Sequence, residues 1–81
     1  MTPDKLALYV IKTRAYLATD EGRANFRHAQ EAYGYSYQRA LCAAVMHVTG
    51  LVLYTRITEV VKTMMSEEVA AAIDEFRAVR G

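Results

Sequence analysis

Between residues 37 and 65 the apolar side chains fall into two stripes that cannot share one side of one helix. Leu41, Ala44, Val45, Val48 and Val52 form the first, and Leu53, Ile57, Val60, Val61 and Met64 form the second. At 100° per residue their centres lie roughly 150° apart. Gly50 stands at the changeover. The chain therefore either breaks there into two helices, or runs on as one helix whose halves face different surroundings, such as its own domain and a second subunit. A strand over residues 51–61 is the third option, because "LVLYTRITEVV" is rich in β-branched residues. Its alternation is poor, with Glu59 on one parity and Arg56 on the other. The helical reading is cleaner, since Arg56, Glu59, Lys62, Thr63 and Ser66 make a polar stripe opposite the second apolar one.

The remaining segments read as helices from their caps and periodicity. Thr2 and Pro3 start the first, about residues 3 to 18, with Leu6, Tyr9, Val10, Thr13 and Leu17 on one face. Leu8, Ile11 and Ala15 widen that stripe, which predicts heavy burial or contact with a second partner. Thr19 or Asp20 caps the second helix and Gly34 closes it; Phe26, Ala29 and Tyr33 mark a thin apolar face, and Gly22 weakens its start. In the last segment, "SEEVAAAIDEFRAVRG", Ser66 reads as an N-cap followed by two glutamates, with Arg77 and Arg80 near the end and Gly81 last. Val69, Ala72, Ile73 and Phe76, with Val79 or the stem of Arg80, are its expected buried face.

These stops and starts fix the meaning of "EAYGYSYQR", residues 31–39. With Gly34 closing one helix and Ser36 capping the next, Tyr33, Tyr35 and Tyr37 surround a turn and do not alternate along a strand. Tyr35 is placed to make the apolar contact of both caps, including one with Ala40. The resulting expectation is an all-α fold: a small single-domain bundle of four to five short helices spanning residues 1–81.

Composition narrows the function classes. Ten Lys and Arg against nine Asp and Glu give a net charge of +1, too little to steer the whole molecule onto nucleic acid or an anionic membrane. The longest uncharged stretch, residues 40–55, is shorter than the roughly 20 residues a spanning helix needs. The single Cys42 lies in an apolar run and has no partner for an internal disulfide, which fits a reducing compartment. The apolar part of "MTPDKLALYVIK" is too short for a signal peptide, so a cytoplasmic location is expected.

No catalytic, cofactor or metal site is expected. His28 and Glu31, three apart, make two ligands at most, fewer than a closed zinc site needs. His47 reads as a partly buried imidazole held by a backbone carbonyl, and Cys42, five positions away, points elsewhere on the same helix. The pairs at Asp20, Glu67 and Asp74 read as caps and solvation. Helix, glycine turn and Ser-capped helix outline a helix-turn-helix, but only Tyr37, Gln38 and Arg39 precede the apolar run of what would be the reading helix. Tyrosine and arginine are the residues of protein-interface hot spots. The sequence therefore points to a protein-binding module with Tyr35, Tyr37, Arg39, Arg27 and Arg23 as partner-binding residues. Its size suits a small adaptor or inhibitor of a larger complex, as phages and mobile elements encode. A DNA-binding regulator is the second reading and an accessory subunit of an enzyme the third. A homodimer is expected, built on the first helix or on a stripe beside Gly50.

Overall fold

The computed structural model describes residues 1–80, excluding the Arg80 side chain; the expected roles of that side chain and of Gly81 at the helix end lie outside the described residues. Four helices make up the fold: α1 (Pro3–Leu17), α2 (Asp20–Tyr33), α3 (Tyr37–Thr49) and α4 (Tyr54–Arg80). No strand occurs among the described residues, and none of the four helices is by itself long and apolar enough to cross a membrane.

Side-chain caps start the first three helices. Thr2, Thr19 and Ser36 each accept a hydrogen bond from the backbone N–H three residues on, those of Lys5 (3.2 Å), Gly22 (3.0 Å) and Arg39 (3.2 Å). Gly34 and Gly50 close α2 and α3 in the left-handed region, at φ of 67° and 73°, where a side chain would strain the backbone. The Ala29 carbonyl accepts from both the Gly34 and the Tyr35 N–H groups, the latter at 3.1 Å, which satisfies the end of α2.

The break at Gly50 resolves the two-stripe problem. α3 and α4 meet at 113°, and this bend turns both stripes toward one core. Leu41 and Val45 from α3 pack with Ile57, Val60, Val61 and Met64 from α4 and with Val10 from α1, all 4% exposed or less. Complete burial of side chains this size stabilises the fold by roughly 1.5 to 3 kcal/mol each. The homodimer expected from the opposed stripes loses that motive, because one chain buries both. Val52 and Leu53, at the stripe ends in the connection, remain exposed. The strand option at 51–61 also fails: helix begins at Tyr54, where the Leu53 carbonyl accepts from the Arg56 and Ile57 N–H groups, both at 3.1 Å.

Two further expectations are corrected. The four helices fall within the expected four to five, but α4 runs unbroken through Ser66, which is therefore an interior helical residue where an N-cap was expected. Glu67 and Glu68 resembled the charges of a first turn, yet they make long-range contacts: Glu67 accepts from Arg14 at 2.7 Å, and Glu68 accepts from the Tyr37 hydroxyl at 2.8 and 2.9 Å. Beyond them the helix leaves the bundle. Val69, Ile73 and Phe76, the expected buried face, are 59%, 45% and 59% exposed. In α1, Val10 and Thr13 are buried as the stripe requires, with Thr13 Oγ1 donating to the Tyr9 carbonyl at 2.8 Å, but Leu8 and Ile11 stay exposed.

Candidate functional site

The turn between α2 and α3 separates the five residues expected to bind a partner into two groups. Tyr35 and Arg39 line one groove, together with Ser36, Gln38, Cys42, Met46 and Tyr54; it encloses about 550 Å3 between the outer face of α3 and the start of α4. Tyr37, Arg23 and Arg27 line another, of about 690 Å3, in the corner where α4 rises away from α1 and α2. The sequence placed all five on one turn, but α3 starts within it, and neighbouring residues at a helix start point about 100° apart.

On the first side, rings stack into a ladder. His28 meets Tyr33 edge-on at 5.2 Å, Tyr33 meets Tyr35 at 5.7 Å, and the Arg39 guanidinium lies 4.2 Å from the Tyr35 ring centre. Tyr35 thus contacts Tyr33 and Arg39. An arginine held over an aromatic face keeps its charge available while losing little side-chain freedom on binding. It forms no ion pair with a carboxylate among the described residues. Met46 and Tyr54, along the same groove, are 47% and 74% exposed. Cys42 is partly buried between them, and burial pushes its thiol up from the ordinary value, which disfavours the nucleophilic thiolate.

On the second side, most polar groups already have partners. The Tyr37 hydroxyl is committed to Glu68, and its ring packs edge-on against Phe26 at 5.5 Å. Burial first, then the hydrogen bond to Glu68 and its charge, raise the Tyr37 pKa above its usual 10.0, with the more distant Arg14 acting in the opposite sense. Arg23 pairs with Asp20 and donates to the Ala18 carbonyl at 2.7 Å, closing the corner between α1 and α2. The Arg27 side chain has neither an ion pair nor a hydrogen bond to another described residue.

Every buried side-chain nitrogen or oxygen among the described residues has a hydrogen-bond partner, and no group of three or more His, Cys, Asp or Glu among them is placed to hold a metal ion. His47 is exposed and lies against the Tyr16 ring at 4.9 Å, where a carbonyl-held, partly buried imidazole was expected. Tyr16 in turn accepts from Asn25 at 2.8 Å, and both line a small seam of about 220 Å3 together with Phe26, Ala29, Ala40 and Ala44. As for the helix-turn-helix outline, α3 supplies four buried residues, Ala40, Leu41, Ala44 and Val45, and its N-terminal Tyr37 is committed to Glu68.

Sequence reasoning missed Met46 and Tyr54 as groove residues. The signal available was their position off both apolar stripes: Met46 follows Val45 on the flank of α3, and Tyr54 follows Leu53 at the start of α4. Comparison of the chain with known protein families, with curated proteins and with solved structures returned no match.

Proposed function

We propose that the protein is a non-enzymatic binding module, an adaptor or inhibitor, that holds a segment of another protein in the groove between α3 and the start of α4. The observation that carries this reading is the Arg39 guanidinium fixed 4.2 Å over Tyr35 at the rim of a groove lined by Met46 and Tyr54. Arginine and tyrosine supply the largest hot-spot energies at protein interfaces, and an exposed methionine adapts its shape to an incoming apolar side chain. The ligand chemistry follows from the lining: an apolar anchor for Met46 and Tyr54, beside a carboxylate that pairs with Arg39.

The test uses the partner captured by the tagged wild-type chain, titrated against variants that keep the fold. Arg39→Ala and Tyr54→Ala should each weaken binding at least about tenfold, with a modest dependence on salt. Both variants should melt as the wild type does, since both side chains lie outside the buried core. Unchanged affinity for both would refute the assignment. A steep loss of affinity with salt, shared by many nucleic-acid sequences, would transfer the site to phosphate binding.

A further inference from the structure

The seam beside α2 has a chemistry unlike that of either groove. Leu17 comes to it from α1, Phe26 and Ala29 from α2, and Ala40, Ala43 and Ala44 from α3, so three helices wall it. The way α2 is held keeps it open. At one end Gly22 lies so close to the Tyr16 carbonyl that an added Cβ would sit 1.9 Å from the oxygen. At the other, the short turn 34–36 ties α2 directly to α3. Between these two anchors α2 and α3 face each other through alanines, whose methyl groups are too short to fill the gap. The space measures about 220 Å3, whereas an apolar cavity of about 150 Å3 is enough to take benzene. It has room for one ring with a substituent and not for two rings.

The lining decides what kind of ring. No Asp, Glu, Lys or Arg among the described residues lines the seam, whereas the corner groove carries three arginines and two glutamates and the α3 groove carries Arg39. An ion in the seam would have no counter-charge, so the occupant is neutral. The polar side chains are Tyr16, Asn25 and His47; Asn25 and His47 are exposed, which places this group on the solvent side. The Tyr16 hydroxyl accepts from Asn25 Nδ2 at 2.8 Å. Its own proton and the Asn25 side-chain oxygen make no bond to another described residue. A donor and an acceptor side by side match a single hydroxyl group. Phe26 and the Tyr16 and His47 rings, whose centres are 4.9 Å apart, add the aromatic surface against which an aromatic guest packs best. We propose that the seam is a binding site for a small neutral phenol, its ring among the alanines and its hydroxyl between Tyr16 and Asn25. The seam shares only Ala43 with the α3 groove, so the two sites are separate.

The measurement is a titration of the full chain with phenol, followed by NMR. The shifts should saturate at one site with a dissociation constant of about 1 mM or tighter, and should centre on the Ala29, Ala40 and Ala44 methyl groups. Benzoate, the same ring carrying a charge, should bind at least about tenfold more weakly. Tyr16→Phe should weaken phenol binding at least about threefold and leave benzene binding unchanged. Ala29→Leu fills the seam from a half-buried position on α2 and should abolish phenol binding while melting no lower than wild type. Should that variant fail to fold, the smaller Ala29→Val tests the same point and should weaken phenol in the same direction. Arg39→Ala should leave phenol binding unchanged, which separates this site from the binding role of the α3 groove. Shifts that rise without saturating, saturable shifts away from the seam, benzoate binding as tight as that of phenol, or phenol binding indifferent to Tyr16→Phe or to a folded Ala29 variant would each overturn the proposal.

Discussion

Gly22→Ala ought to stabilise the protein if helix propensity alone decided, since alanine gains about 1 kcal/mol over glycine inside a helix. The backbone at Gly22 is not in the positive-φ region, so nothing local opposes the change. Packing does. A Cβ placed there would sit 1.9 Å from the Tyr16 carbonyl oxygen and 2.7 Å from its carbon, both backbone atoms at the end of α1. Reaching ordinary contact at 3.4 Å requires the two helices to separate by about 1.5 Å. That same oxygen accepts from the Thr19 N–H at 3.0 Å and the Thr19 hydroxyl at 2.6 Å, and Thr19 caps α2 through Gly22. Overpacking costs about 1 to 3 kcal/mol, and weakening one or two of these bonds adds about 1 kcal/mol each. Net of the propensity gain, the loss is about 1 to 4 kcal/mol. For a domain of this size each kcal/mol shifts Tm by about 4 to 8 °C, so Gly22→Ala should melt at least about 4 °C below wild type when followed by circular dichroism. A variant that melts higher than wild type would refute the close approach of α1 and α2.

Three further outcomes test other parts of the account. Ser66→Ala should leave Tm unchanged or raise it slightly, since alanine is favoured inside a helix, whereas loss of an N-cap would cost about 1 kcal/mol; a drop of several degrees would restore the helix start that the structure removes. Tyr37→Phe should lower stability at neutral pH by about 1 kcal/mol through loss of the bond to Glu68. Because the folded-state pKa of Tyr37 is raised, its contribution is complete below the ordinary 10.0 and fades as pH rises through the folded value, so the stability gap between wild type and Tyr37→Phe should shrink in alkaline melts; a gap that widens there contradicts the pairing. Cys42 should react with iodoacetamide at pH 7.5 more slowly than a free thiol and recover the ordinary rate in denaturant, and equal rates in both states would contradict its burial.

Local signals were legible wherever the backbone itself decides. Thr2, Thr19 and Ser36 cap as their positions predict, Gly34 and Gly50 take the left-handed conformation, and the phase jump at Gly50 locates the bend. The failures lie where one pattern serves two ends. "SEEV" satisfies a helix start, but the periodicity of Val60, Val61 and Met64 runs into it with no breaker, and the glutamates answer to Arg14 and Tyr37, residues distant in sequence. Gly22 was read as a local weakness, while its cause is a carbonyl from another helix. The candidate site was half legible for the same reason. Residue type picked out Tyr35 and Arg39, but which face of α3 each neighbour joins, and that Met46 and Tyr54 complete the groove, depends on how α3 meets α4.

The most direct test of the binding role is photocrosslinking with a benzophenone amino acid at position 46, in the floor of the α3 groove, beside a control at Glu21 on the exposed start of α2. Irradiation of the complex with the captured partner should give a covalent adduct from position 46 and none from position 21, and the adduct should diminish when Arg39→Ala is added to the same chain. Adducts of equal yield from both positions, or from position 21 alone, would contradict the assignment of this groove as the surface through which the protein acts.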